Sequence, residues 1–349
     1  MTPGFLGRLT RNAEGPLLLE TILVSSVTSF LGIRWFLALT GYPQIGSGGI
    51  HVAHMLWGGL LMLLAVMLLL AYLDRPVRHV AAMIAGLGFG TFIDEIGKFV
   101  TSDNNYFYRP AIALIYGVFI VAFLVGRTLT GEQRRLSANE ALANALTMLA
   151  GNLDSPIEAD DRARIARLLE RADRSSAATR FAVGYLAELP VAATHDRLVE
   201  RINRRLADAY ERLMANTWAD DAVTVGVVAY AAAALLGVAL VAASTPIEGA
   251  GETSTMATAA QILSTIAGAA CIGVGVIRLR GSRHSAYHWF MRGLLVWILI
   301  TQVFVFYSSQ LAGLGGLVVD LIAYGSLRFA LVRETLARPR PQPSTSGRG

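Results

Sequence analysis

The chain has 349 residues, of which 54% are apolar and only 16% are charged, and its mean hydropathy is +0.50. Because an average soluble domain has about 25% charged residues, this composition excludes a disordered chain, a disulfide scaffold and an ordinary soluble enzyme. Residues 131–220 hold 13 Arg and 14 Asp or Glu, so the most charged segment has no basic surface, and we expect no nucleic-acid partner.

Eight apolar segments of about 20 residues are each long enough to cross a lipid bilayer as a helix. They are 17–39, 50–73, 79–100, 110–130, 221–244, 255–277, 285–308 and 313–333. The sequence therefore predicts an all-α, polytopic bundle of eight transmembrane helices, with the charged segment 131–220 inserted after the fourth.

Arginine is distributed unevenly among the connections between these segments. The alternate connections 40–49, 101–109, 245–254 and 309–312 contain one basic residue, Arg109, whereas the other connections and both ends are rich in Arg. The positive-inside rule then places both termini and residues 131–220 in the cytoplasm. Arg, Ala and Gly are abundant and Lys98 is the only lysine, which favours a bacterial inner-membrane protein.

Ionisable side chains gather near the predicted outer ends of the first three segments. They are Arg34, His51, His54, Asp94, Glu95 and Lys98. Such groups are costly inside a membrane and are functional candidates for that reason. The next connection adds Asp103, Tyr106 and Arg109, which we expect to support or cover the site.

Two kinds of chemistry fit these residues. His51, His54 and Glu95 could ligate a divalent metal such as zinc or iron, or the imidazoles and carboxylates could bind a cation or relay protons. Asp94 and Lys98, four residues apart, could simply pair with each other. Glu95 would then need its own partner, so we assign the chemistry to Glu95, Asp94 and Lys98.

Glycines are dense in the second and third segments. Gly58, Gly59, Gly86, Gly88 and Gly90 lie where small residues would let two transmembrane helices approach closely. We therefore expect the second segment to pack tightly on the third.

The insert 131–220 predicts a small cytoplasmic helical bundle. Ser137 and Glu140 have the spacing of a capping box, and further helices are expected over 156–169, 176–189 and 196–217. Without a site motif, this module is expected to pack against the membrane part, form a homo-oligomer or bind a protein partner.

The two membrane halves resemble each other weakly, which favours a duplicated unit of four helices. In that alignment Asp94 and Glu95 fall opposite Thr301 and Gln302. Asp320 is interpreted as a structural residue that pairs with Arg292 or Arg328. The predicted domains are 1–130, 131–220, 221–335 and a disordered tail, 336–349.

His54 in one helix and Glu95 near the far end of the next resemble the His and Glu pattern of VanZ-like and YjdF-like bacterial inner-membrane proteins. The resemblance covers residues 51–103, and the chain has Lys98 where that pattern tends to have Gln. It implies a small polar site between two helices and assigns no catalytic role.

Three functions are compatible with the sequence. The first is a site on the outer leaflet that binds a cation or relays protons, as in a transporter. The second is a metal-dependent hydrolase or transferase acting on lipid headgroups. The third is a structural or regulatory anchor that acts through 131–220.

Overall fold

The computed structural model describes residues 9–40, 54–102, 108, 110–130, 136–153, 156–192, 217–244 and 252–337. Within these ranges every regular element is helical and there is no β-strand. The chain divides into two compact units, 1–108 with 117–196, and 109–116 with 197–349, which are described separately.

The helices of the first unit follow the predicted segments closely. They are α1 (Gly15–Thr40), α2 (His54–Ala71), α3 (Arg75–Ile93), α4 (Ile96–Val100), α5 (Ala111–Thr130, whose first six residues belong to the second unit), α6 (Ala138–Ala150), α7 (Ala159–Leu169) and α8 (Ala177–Glu188). One prediction needs correction. The segment 79–100 is not one helix, because α3 ends at Ile93 and α4 begins at Ile96, and the two acids Asp94 and Glu95 form the turn between them.

The second unit contains four long helical passages. They are α9 (Thr217–Ser244), α10 (Glu252–Leu279), a passage made of α11 (Arg283–Val296), a π-helix (Trp297–Thr301) and α12 (Gln302–Ser309), and, after a 3₁₀ turn (Gln310–Gly313), α13 (Leu314–Ala337). Its core is aromatic and aliphatic and includes Phe290, Leu294 and Trp297.

Seven helical stretches in the described residues are long and apolar enough to cross a membrane, which is the architecture of a multi-pass membrane protein. The sequence predicts eight, and the difference lies in the last stretch, Arg283–Leu331. It has 49 residues, more than twice the roughly 20 that one crossing needs. The chain turns back within it, because Gln310 has a φ of 48° and α13 packs against α11.

Helix α3 packs against both α1 and α2 through its glycines. A β-carbon on Gly88 would lie 2.7 Å from the carbonyl oxygen of Gly58, and one on Gly58 would lie 2.6 Å from that of Gly88. Any side chain at either position would collide with the backbone of the other helix. The predicted packing of the second segment on the third is thus confirmed. Gly86 and Gly90 instead pack against α1, and a β-carbon on Gly59 would meet nothing within 4 Å.

Helices α6, α7 and α8 enclose a small apolar core that includes Ala141, Ile165 and Ala182. The predicted capping box is present, because Ser137 Oγ accepts from the backbone N–H of Glu140, and Glu140 accepts from that of Ser137. Parallel backbone bonds between Ile157 and residues 190–192 close the module. The predicted helix over 196–217 lies almost wholly outside the described residues, as do residues 131–135 and most of the tail.

Ion pairs hold this helical module to the beginning of α1 and the beginning of α3. The Arg11 guanidinium donates to both carboxylate oxygens of Glu140 at 2.7 and 2.9 Å, and these bonds hold the pKa of Glu140 well below its ordinary range. Arg75 bonds both Glu14 and Asp161. The module, the start of α1 and the connection from α2 to α3 therefore lie at one end of the first unit.

Candidate functional site

The opposite end of the first unit contains the predicted polar site. Here α1 supplies Arg34, α2 begins with His54, the turn after α3 supplies Asp94 and Glu95, and α4 supplies Lys98. These five residues are called the polar network below. The sequence left open whether the first three segments are neighbours, and the packing of α3 on α1 and α2 brings the five side chains together.

Asp94 is fully buried and both of its carboxylate oxygens have partners. Arg34 Nε donates to Oδ1, and His54 Nε2 lies 3.0 Å from Oδ2. A second Arg34 nitrogen donates to the backbone carbonyl of Asp94 at 3.0 Å. Arg34 thus neutralises this carboxylate and also holds the backbone where α3 ends.

Glu95 is also fully buried and has a different set of partners. Lys98 Nζ donates to Oε1 at 2.5 Å, and the backbone N–H of Met55 donates to Oε2 at 3.0 Å. The amide of Met55 lies in the first turn of α2, where backbone N–H groups have no partner within the helix. Glu95 therefore joins α4 to the beginning of α2.

The pairing differs from the one that helical spacing predicts. On a continuous helix Lys98 would lie over Asp94, but the turn at Asp94 and Glu95 places Glu95 beside Lys98, three residues away. Asp94 is then turned toward α1, where Arg34 lies. The break in the helix thus separates the two acids and gives each one its own cation.

His54 contacts both acids. Its Nε2 lies 3.0 Å from Asp94 Oδ2 and its Nδ1 lies 3.5 Å from Glu95 Oε1. About a quarter of its side chain is exposed (28%), whereas both carboxylates have no exposed surface. The imidazole thus lies between the two buried carboxylates and the exterior of the protein.

Four of the predicted site residues lie outside the described residues: His51, Asp103, Tyr106 and Arg109. Their assigned roles as a metal ligand or as supporting groups stay predictions. Among the residues that the structure describes, no group of three His, Cys, Asp or Glu side chains could hold a metal ion. Zinc or iron at this site therefore also stays a prediction.

The second unit contains a cavity that the sequence analysis did not predict. It has a volume of about 520 Å³ and lies among α9, α10, the passage from the π-helix into α12, and α13. Its lining includes Asp320, which the sequence assigned to a pair with Arg292 or Arg328. That interpretation is wrong, because Asp320 forms an ion pair with neither arginine and its Oδ1 has no hydrogen-bond partner in the described part of the chain.

A signal for this cavity is present in the sequence. Thr258, Gln261 and Thr265 share one face of an otherwise apolar helix, and all three line the cavity. Thr301 and Gln302 add polar groups from the next passage. Polar stripes of this kind are a weaker signal than ionisable residues, which are concentrated in the first half of the chain.

No protein-family model, no curated protein and no solved structure matches this chain.

Proposed function

We propose that this membrane protein binds and releases a proton at His54 and that the polar network relays protons during transport across the membrane. The observation that carries the proposal is the position of the imidazole, which contacts the carboxylates of both Asp94 and Glu95. Histidine is the side chain whose ordinary titration falls near neutral pH, so it is the member of this network best suited to change its charge.

The charges of the other four residues support this proposal. Arg34 and Lys98 are cationic and each bonds one carboxylate. The charges of these four groups therefore sum to zero when both acids are ionised. The network is then neutral with a neutral His54 and carries one positive charge with a protonated His54. One proton can thus be bound and released without leaving either buried acid without a cation.

The same contacts favour a proton over a divalent metal. Each of the four carboxylate oxygens already accepts a hydrogen bond or contacts a basic nitrogen. A metal ion would have to displace Arg34, Lys98 or the amide of Met55 and would add two charges to a balanced site. A headgroup hydrolase that depends on such a metal is the less supported alternative.

The membrane arrangement is part of the proposal. We infer eight crossings, with both termini and the α6–α8 module in the cytoplasm of a bacterial cell and the polar network on the outer side. The return of α13 along α11 and the ion pairs among Arg75, Glu14 and Asp161 support this arrangement. Binding of a second copy or another protein through 131–220 stays a prediction.

A duplicated unit of four helices is also inferred. The two positions aligned by the sequence, Asp94 with Thr301 and Glu95 with Gln302, both lie where a membrane helix departs from α geometry. At the first the helix breaks into a turn, and at the second a π-helix ends. Only the first copy places charged residues there.

The test is nuclear magnetic resonance of the imidazoles in protein labelled with ¹⁵N-histidine and held in lipid nanodiscs. The chain has six histidines, and the His54 signals are those that disappear in His54→Gln. We expect these signals to change from neutral imidazole to imidazolium as the pH is lowered. His79→Gln is the matched control, because His79 lies at the opposite end of the first unit, where Nδ1 contacts the Arg75 carbonyl.

Two results would contradict the proposal. His54 signals that keep one protonation state at every pH at which the protein stays folded would exclude proton binding. For the relay, wild-type protein in vesicles holding a pH-sensitive dye should pass protons under an imposed membrane potential, and His54→Gln should not. Equal dye responses from vesicles with and without the wild-type protein would exclude the relay.

A further inference from the structure

The cavity of the second unit is lined by groups that take no part in the polar network. The cavity of about 520 Å³ is within the size range of small-molecule sites and is far larger than a single ion. Four helical passages contribute to it, and its lining combines apolar residues with hydroxyl, amide and carboxylate groups.

Asp320 is the charged residue of the described cavity lining. Its side chain is 3% exposed, and Oδ1 has no hydrogen-bond partner. In the described part of the chain Asp320 forms no ion pair with Arg292 or Arg328. Arg292 lies over the ring of Trp289 at 4.8 Å, and Arg328 is exposed. A buried carboxylate without a cation is costly, so the site lacks a positive group that a ligand would supply.

Two aromatic rings line the same cavity. Tyr230 and Trp297 meet edge to face, with their ring centroids 5.2 Å apart, and the Tyr230 hydroxyl donates a hydrogen bond to the Asp320 carboxylate. The indole N–H of Trp297 already donates to the carbonyl of Thr265 at 3.1 Å, which fixes the ring. Aromatic faces attract organic cations, so the two rings and the Asp320 carboxylate both favour a ligand of that class.

The cavity also offers acceptors for N–H groups. Gln302 uses its amide nitrogen to donate to the Gly313 carbonyl at 2.7 Å. Its Oε1 lies close to Gly316, where the absence of a side chain leaves this oxygen beside the cavity. An ammonium group has several N–H donors, and carboxylate and amide oxygens can accept them together.

The backbone at the cavity is unusual. Trp297–Thr301 form a π-helix, a geometry that is rare and occurs frequently at functional sites. Its extra residue per turn lets Trp297, Thr301 and the following Gln302 all line the cavity. An ordinary α-helix would turn one of the neighbours Thr301 and Gln302 further from it.

We propose that the cavity among α9, α10, α12 and α13 binds a small organic cation, whose ammonium group is held by the Asp320 carboxylate beside the rings of Tyr230 and Trp297.

The test is calorimetric titration of the full chain in nanodiscs with four probes: ethylammonium, butylammonium, benzylammonium and phenethylammonium. Each is compared with the neutral alcohol of the same carbon skeleton. We expect at least one ammonium to bind at least about tenfold more tightly than its alcohol, because a site built around a polar partner discriminates strongly against ligands that lack it. Asp320→Asn should abolish this preference.

Asp221→Asn is the matched control, because Asp221 is an exposed carboxylate of the same unit that pairs with Arg283 at the surface. It should bind the probes as the wild type does. The proposal is overturned if no ammonium binds better than its alcohol, or if Asp320→Asn keeps the preference.

A second pair of variants keeps the test decisive if Asp320→Asn fails to fold. Gly237 lines the cavity and has open space at its β-carbon position, so Gly237→Leu should fill the cavity and block binding. Gly226 on the same helix also has open space but does not line the cavity, and Gly226→Leu should bind normally. Unchanged binding in Gly237→Leu would overturn the proposal. Because none of these residues belongs to the polar network, a negative result here leaves the proton test at His54 intact.

Discussion

At the scale of single residues, each buried acid of the polar network has its own set of partners. Two adjacent acids are completely buried, and each has its own cation and at least one further contact. Breaking a buried ion pair by removing one partner is expensive, whereas removing both charges is often tolerated. A single substitution that removes one charge of a pair should therefore destabilise the protein more than a double substitution that removes both charges.

We predict that Arg34→Met destabilises the folded protein by about 3–5 kcal/mol, because it leaves the Asp94 carboxylate buried without its cation. Adding Asp94→Asn should recover a large part of this loss. Denaturation of the purified protein in detergent measures both variants and the double variant.

Lys98→Met and Glu95→Gln form the matched double-mutant cycle, because together they remove the other ion pair of the network. We expect the same pattern there. Additive losses in both double variants would show that the pairs do not act as units.

At the scale of elements, the close approach of α2 to α3 determines where His54 lies. Gly58 and Gly88 bring the two backbones together one helical turn below His54. The side chain of His54 can reach Asp94 and Glu95 only because these helices are so near. The glycines are therefore needed for the site although none of them contributes a functional group.

We predict that Gly58→Ala destabilises the protein by about 1–3 kcal/mol, because the added methyl group would collide with the backbone of α3. Gly59→Ala should be neutral or slightly stabilising, since its β-carbon would meet nothing within 4 Å. Thermal unfolding of both variants in detergent checks this. Equal effects at the two positions would contradict the packing described for α2 and α3.

At the scale of the whole molecule, the number of membrane crossings is the property that most affects the proposed function. Seven stretches in the described residues satisfy the criteria of length and hydropathy. The proposed eight crossings require that the last stretch, within which the chain turns back at Gln310, crosses the membrane twice. An even number of crossings places both ends on one side of the membrane. An odd number would place the C-terminal end on the other side.

We predict that single cysteines report eight crossings. In a Cys271→Ser background, Ser102→Cys should react with a membrane-impermeant maleimide in intact cells, whereas Leu153→Cys and Ser346→Cys should react only after the membrane is opened. Leu153 is exposed on the α6–α8 module, so its protection would come from the membrane alone. Labelling of Ser346→Cys in intact cells would indicate seven crossings.

The helical class, the positions of the long apolar helices and the capping box at Ser137 are all predictable from the sequence alone. These features follow from local composition and spacing, which act within a few residues of one another. The candidate residues Arg34, His54, Asp94, Glu95 and Lys98 could also be named, because ionisable groups in apolar segments are conspicuous.

The tertiary structure is needed to tell which of these residues are partners. The break after Ile93 turns Asp94 toward Arg34 and Glu95 toward Lys98, and no helical repeat predicts such a break. The unpartnered Oδ1 of Asp320 could not be predicted from the sequence either, since it depends on where α13 lies among three other passages. Pairing across helices depends on how segments that are distant in the chain pack against each other. The spacing of residues along the sequence does not reveal that packing.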